Sequence, residues 1–338
     1  MPLSVVIAPD SFKGSITARD AAAAIAVGWT TVRPGDAITL LPQADGGEGT
    51  LDAVEAAVAG AVRHRIQGVT GPDGAPVDAS WLSLPDGTAV VELAQSSGLP
   101  LMRSLDPLGA TTRGLGEVIQ AALESRPDRL LVGLGGSAST DGGTGVLEVV
   151  PAVDIDVVLL TDVTAPLLGP TGAAAVFAPQ KGATPHQVVL LEQRLTRLAD
   201  QLGGDPMTAG AGAAGGTAYG LATAWGAQIE SGADRIAELT GLDRALAGAD
   251  AAITGEGRFD AQSTTGKSVG RVLAGAERHS VPCALVAGSV DAPFPGFSVS
   301  LASLAGSRDA AIADPRAWLI AAGASAAQSV ELWASRNS

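Results

Sequence analysis

Along most of the chain, short apolar runs alternate with stretches whose apolar positions recur every three or four residues. Strand-like and helix-like periods in alternation favour an α/β class with mostly parallel sheets. Val5–Ala8 predicts a buried strand ending at Asp10-Ser11-Phe12-Lys13-Gly14. Thr17 is then the expected N-cap of a helix over Ala18–Trp29, with Asp20 in its first turn. Ile38–Leu41 predicts a second strand, closed by Ala44-Asp45-Gly46-Gly47-Glu48-Gly49 and followed by a helix over Thr50–Ala59. From Arg63 to Leu99 the pattern changes. Gly71-Pro72-Asp73-Gly74 and Pro85-Asp86-Gly87 punctuate alternating apolar stretches there, which predicts hairpins.

A helix over Gly114–Glu124 precedes the apolar run Leu130–Leu134, which opens into Gly-Gly-Ser-Ala-Ser-Thr-Asp-Gly-Gly-Thr-Gly at 135–145. Further strands are expected at Val157–Thr161, ending at Asp162, at Ala251–Thr254 and at Cys283–Ala287. Helices are expected over Pro185–Leu202, Ala218–Gly226 and Ser268–Arg278. Plain βαβ units thus stand at both ends of the chain. The simplest architecture is discontinuous, with 1–70 and 240–338 forming one α/β domain and 71–239 inserted as a second.

Composition narrows the function classes. The 338 residues carry a net charge of −14, which argues against a general nucleic-acid or anionic-membrane surface but not against an anionic substrate. Aromatics make up 3% and glycines number 44, so packing relies on small side chains. The single cysteine, Cys283, lies among aliphatic residues and is expected in the core. No leader segment is evident and no apolar run approaches the roughly 18 residues of a membrane span. A cytoplasmic protein is expected. His64, His186 and His279 fall in no zinc-ligand spacing, and no nucleophile elbow supports a Ser-His-Asp hydrolase.

The polar loops carry the candidate chemistry. Asp10, Asp45, Asp162, Glu256 and Asp260 each follow a predicted strand, where open parallel sheets bind ligands. Such carboxylates suit Mg²⁺, which takes one or two of them plus waters and phosphate oxygens. Each could instead be an N-cap or Asx-turn residue. The glycine loop admits two readings as well. Gly135, Gly136 and Ser137 could cradle a phosphate on bare N–H groups, or the glycines could serve tight helix–strand packing. The loop is neither a Walker A motif nor a strict G-x-G-x-x-G. Asp141 could hold the metal or cap the following helix. The three lysines of the chain, Lys13, Lys181 and Lys267, all stand in glycine-bearing polar loops, which favours anion contact.

Several of these stretches, taken in order, resemble the signature loops of the type-1 glycerate kinases. They are Ala8–Ser15, Ala44–Thr50, Gly135–Gly145, Pro166–Gly169, Phe177–Ala183, Gly212–Gly216 and Ile253–Lys267. The resemblance implies a flavodoxin-like parallel-sheet domain built from both chain ends and an inserted α/β domain likened to restriction endonucleases. It also implies ATP-dependent, Mg²⁺-assisted phosphorylation of D-glycerate, most often at the 2-hydroxyl in bacterial members. A homodimer is left open. The chain departs from the family pattern at Gln43, Thr140 and Ala165, and its connection over 145–157 is shorter than in other members.

On residue type and placement, Lys13 and Lys267 are expected to neutralise charge on the transferring group. Asp45 is the favoured base and Asp260 a further catalytic carboxylate. Asp10, Ser11, Gly46, Gly47, Glu48 and Arg258 are expected at the substrate, with Arg258 as bidentate partner of its carboxylate. Gly135, Gly136, Ser137, Asp141 and Lys181 are expected at ATP, and Asp162 and Glu256 at the metal. The rivals are a catalytically impaired homologue that binds nucleotide or a small hydroxy acid, and a nicotinamide-dependent oxidoreductase. The second needs an acidic ribose partner, for which Asp154 or Asp156 would serve, but it lacks a catalytic histidine.

Overall fold

The computed structural model describes residues 1–12, 14–264 and 267–334. In chain order its strands are β1 (Ser4–Ile7), β2 (Ala37–Leu40), β3 (Val62–Thr70), β4 (Pro76–Ser83), β5 (Thr88–Glu92) and β6 (Arg129–Gly133). They continue with β7 (Asp156–Leu160), β8 (Gln228–Glu230), β9 (Ala251–Phe259), β10 (Cys283–Val290) and β11 (Ser298–Ser300). The chain falls into two compact units. One comprises Met1–Ala44, Asp52–Ala59 and Ala233–Ser338, the other Asp45–Leu51 and Gly60–Gly232.

The first unit holds an all-parallel sheet in the order β2-β1-β9-β10-β11. This is the 2-1-3-4-5 order of a flavodoxin-like doubly wound sheet. Alternation along β1 sends Val5 and Ile7 into a core with Ile25, Trp29 and Leu319, and Val6 into a second core with Leu242, Leu246 and Val272. The helix Ala18–Val32 begins as expected, with Thr17 Oγ1 accepting the Asp20 N–H at 3.1 Å. It packs on the helix Pro315–Gln328 through reciprocal glycines: a Cβ on Gly28 would lie 1.9 Å from Ile320 O, and one on Gly323 2.1 Å from Ile25 O. One expected boundary is corrected. β9 continues past Thr254 to Phe259 because β10 pairs with it as far as Val290 opposite Phe259, so Glu256 lies within a strand rather than after one.

The second unit holds a six-stranded sheet in simple sequence order, β3 to β8. β3, β4 and β5 are antiparallel, and β5 to β8 are parallel. The two expected hairpin turns are present, each closed by an aspartate: Asp73 Oδ1 accepts from Ala75 N and Asp86 Oδ1 from Thr88 N, both at 3.0 Å. Val91, Leu130, Val132 and Leu159 build the core against Leu115 and Ile119 of the helix Arg113–Glu124. No helix among the described residues is long and apolar enough to cross a membrane.

Candidate active site

In the second unit β5, β6 and β7 end level with one another, at Glu92, Gly133 and Leu160. The glycine loop leaves β6 at this edge, and what approaches it is the segment Asp45–Leu51 of the same unit. Backbone meets backbone here. The Gly135 N–H donates to Gly46 O at 3.0 Å, and the Leu134 N–H to Leu160 O at 3.1 Å. A Cβ on Gly135 would lie 2.4 Å from Gly47 Cα, and one on Gly46, whose φ is +86°, 2.8 Å from Leu160 O. Glycine is required at both positions by the close approach of the two loops.

The rest of the glycine loop is bonded into the protein as well. Ala138 N–H donates to Ser97 O at 3.0 Å, Ser139 N–H to Ser137 Oγ at 3.2 Å and Gly142 N–H to Gly215 O at 3.0 Å. Asp141 accepts from Thr112 N and Thr112 Oγ1, both at 2.8 Å, and from Gly143 N at 3.1 Å, just ahead of the helix Thr144–Val149. Lys181 is 3% exposed and donates its ammonium to Ser139 O. Burial pulls this ammonium down to about 8, with the charge of Asp141 opposing the shift. Gly136 stays exposed, and Ser137 is buried. Beside the loop lies a cavity of about 400 Å³ bounded by Thr140, Asp141, Thr144, Arg194, Arg197 and Leu198. Thr140 Oγ1 is buried and has no hydrogen-bond partner among the described residues.

Within Asp45–Leu51, Asp45 is half-buried and its Oδ1 accepts the Gly47 N–H at 3.1 Å, while Glu48 is exposed. Thr50 Oγ1 donates to Gly47 O at 2.7 Å. Glu92, 1% exposed, accepts from Gly49 N at 3.2 Å and from Leu51 N at 3.0 Å. Nothing in the sequence reading anticipated Glu92. The available signal was a carboxylate closing the otherwise apolar run Ala89-Val90-Val91, all of which is buried. Asp162, just past β7, accepts from Ser231 Oγ at 2.8 Å.

In the first unit the strand order reverses between β1 and β9, the position at which doubly wound sheets bind ligands. Asp10 and Ser11 follow β1 there, with the Asp10 N–H donating to Gly255 O at 2.8 Å and Asp10 Oδ1 accepting the Ser11 N–H. Arg258 is exposed and pairs with Asp291 at 2.7 Å. Asp260 Oδ1 accepts the Gln262 N–H at 2.9 Å, and its own N–H donates to Ser263 Oγ at 2.9 Å. Lys267 is half-buried and stands as the N-cap residue of the helix Ser268–Arg278. Lys13 lies outside the described residues. Burial pushes the Cys283 thiol up to about 12, far from nucleophilic range at neutral pH. Asp162 and Glu256 belong to different units, and no group of three metal-ligating side chains occurs among the described residues.

The sequence profile of the glycerate kinase family matches residues 5–153 and 149–331, which together span nearly the whole chain. The chain belongs to the glycerate kinase family. It is accordingly an enzyme, a phosphotransferase with an alcohol group as acceptor. It is 39% identical over 328 residues to a glycerate kinase of Bacillus subtilis (strain 168), covering 85% of each chain. It is 38% identical over 328 residues to the glycerate 2-kinase of Escherichia coli (strain K12), covering 85% of this chain and 86% of that one. The crystal structure of a candidate glycerate kinase 2 from Salmonella typhimurium LT2 is similar over 98% of this chain and 99% of that chain, at a TM-score of 0.79 and 33% identity. The two stretches of the family match meet at 149–153, inside the short connection between the helix Thr144–Val149 and β7. Of the three departures from the family pattern, Gln43 is buried and its Nε2 donates to Leu41 O and Thr240 Oγ1. Ala165 O accepts the Gly212 N–H, and Thr140, whose hydroxyl is buried, is one of the residues lining the cavity.

Proposed function

We propose that the chain transfers the γ-phosphoryl group of ATP to the 2-hydroxyl of D-glycerate, with Mg²⁺ as the accompanying cation. Family membership over both units is the observation that carries this reading, and the name of the Escherichia coli relative supports the 2-hydroxyl. The donor set fits a hard cation: Asp162 is a half-buried carboxylate at a strand end, oriented by Ser231, and Mg²⁺ needs only one or two such groups beside phosphate oxygens. Asp162 is the proposed carboxylate for it on the second unit, and Glu256, the other carboxylate expected at the metal, belongs to the first. When bound, Mg²⁺ neutralises charge on the phosphate oxygens.

Asp45 is the proposed base. As the glycerate oxygen bonds to the γ-phosphorus and the bond to the β-phosphate oxygen breaks, the carboxylate takes the hydroxyl proton and ADP leaves. Its Asx turn with Gly47 leaves Oδ2 as the atom for that proton. Gly46, Gly47 and Glu48 share its loop and are proposed to shape the acceptor side, with Asp10 and Ser11 as further substrate contacts. Arg258 would exchange Asp291 for the glycerate carboxylate, a fork geometry that suits either partner. Lys13, Lys267 and Asp260 are assigned to charge on the transferring group and its orientation. Gly136 and Ser137 are assigned to the nucleotide; Gly135, whose N–H is taken by Gly46 O, and Asp141, whose oxygens accept from Thr112 and Gly143, are assigned to holding that loop in shape. Lys181 takes part by holding Ser139 O rather than by an exposed ammonium. The cavity beside Asp141 lies within the volume range of small-ligand pockets and supports a nucleotide on this unit.

The test is ADP release from ATP and Mg²⁺ with D-glycerate, L-glycerate or no acid, with ³¹P NMR of the product. Turnover confined to D-glycerate, and a product resonance coupled to the C2 proton, is the expected result. A resonance coupled to the C3 protons would move the reaction to the 3-hydroxyl. ATP binding by calorimetry without turnover would instead establish a nucleotide-binding homologue, and the short connection over 145–157 would be the first place to look.

A further inference from the structure

We infer that Glu92 is a positioning residue for the reaction: it fastens the loop carrying Asp45 and Glu48 to the strand ends of the second unit. This rests on the proposal that Asp45 acts on the substrate. Glu92 is the last residue of β5 and is 1% exposed, a burial that carboxylates tolerate only when hydrogen-bonded. Both of its oxygens are engaged by the same loop, Oε1 by Gly49 N at 3.2 Å and Oε2 by Leu51 N at 3.0 Å. These are N–H groups at the opening of the helix Thr50–Ala57, where the helix has no internal acceptors and where negative charge is favoured.

Chain connectivity makes this anchor consequential. The residues flanking the loop, up to Ala44 and from Asp52 onward, pack with the first unit, whereas Asp45–Leu51 packs with the second. A seven-residue segment whose two neighbours belong elsewhere needs specific bonds to stay on its own unit. Among the described residues those bonds are few. Gly135 N–H to Gly46 O ties the start of the loop, and Glu92 ties its end. The side-chain bonds from Asp45 to Gly47 and from Thr50 to Gly47 are internal to the loop and give it shape, while Thr50 and Leu51 also open the helix that runs on to Ala57. Glu92 is therefore the side chain that, together with the backbone bond from Gly135 to Gly46, holds the loop on which Asp45 stands.

The test compares Glu92→Gln, Glu92→Ala and wild type in the full chain. Hydrogen exchange is followed by mass spectrometry over residues 45–51, with β1 and β10 as internal reference, and kcat and both KM values are measured. In Glu92→Gln one acceptor oxygen is replaced by a donor facing a donor. Exchange over 45–51 should rise about tenfold or more relative to the reference strands. kcat should fall about tenfold or more while KM for ATP changes less than about threefold. Unchanged exchange over 45–51 in a folded variant overturns the inference. If exchange rises and kcat holds, Asp45→Asn separates the causes: an impaired Asp45→Asn overturns the role of Glu92, and an active one overturns the assignment of Asp45 as base. Should Glu92→Ala fail to fold, Glu92→Gln and Glu92→Asp carry the test, since each retains at least one acceptor oxygen.

Discussion

Replacing Gly135 by alanine puts the packing of the two glycine loops to a direct test. The new Cβ would lie 2.4 Å from Gly47 Cα and 3.1 Å from Gly47 N, against an ordinary carbon–carbon contact of 3.4–4 Å. Both obstacles are backbone, so no side chain can swing away. The loops must part by about 1 Å, which overpacks the site and stretches the 3.0 Å bond from Gly135 N to Gly46 O. Overpacking of this kind costs about 1–3 kcal/mol. A lost buried hydrogen bond adds about 1 kcal/mol. For a unit of this size the combined loss lowers the melting temperature by roughly 5–15 °C. Scanning calorimetry reads the shift, and Gly248→Ala serves as control, because a Cβ there meets nothing within 4 Å. A Gly135→Ala protein that melts within about 1 °C of wild type would refute the reasoning. If that same variant bound ATP poorly, the glycine would serve a bound phosphate and not the loop of residues 46–47.

Three other outcomes are expected. Because burial holds Lys181 at about 8 instead of 10.5, the unfolded chain keeps a proton that the folded chain has released between those values. Stability should therefore rise with pH across that window, at up to about 1.4 kcal/mol per unit, and Lys181→Met should flatten the rise in denaturant titrations run from pH 7.5 upward. Gly28→Ala would place a Cβ 1.9 Å from Ile320 O and should destabilise the first unit by at least about 2 kcal/mol, read as a lower urea midpoint. Asp45→Asn and Lys267→Ala should each lower kcat by at least about 100-fold, and near wild-type turnover in either would remove that residue from the chemistry.

Legibility differed between backbone and side chains. The strand and helix periods, the Thr17 cap and the two aspartate-closed hairpins were all visible, because each depends on residues within a few positions of one another. The end of β9 is not legible locally, because its last residues are held by β10, a partner that local pattern does not contain. Glycine clusters at 46–47 and 135–136 were visible as anomalies, yet a bare backbone suits a phosphate and a second backbone equally. In the tertiary structure the Gly135 N–H donates to Gly46 O, and Gly136 stays exposed. Lys181 illustrates the same limit. A scarce lysine in a glycine-bearing loop suggested anion contact, whereas its burial beneath Ser139 depends on residues far from it in sequence.

By itself, then, the sequence determined the α/β class and, through the order of its glycine-bearing polar loops, the family. Those properties are written in residue types and short spacings, which survive without knowledge of distant neighbours. Tertiary structure alone decided that Asp45–Leu51 packs away from the chain on either side of it, that Glu92 anchors it, and that Asp141 spends its oxygens on Thr112 and Gly143. Each of these is a long-range hydrogen bond or a close backbone approach. Its energy depends on distances of a few tenths of an ångström between residues tens of positions apart, and periodicity carries no record of such distances.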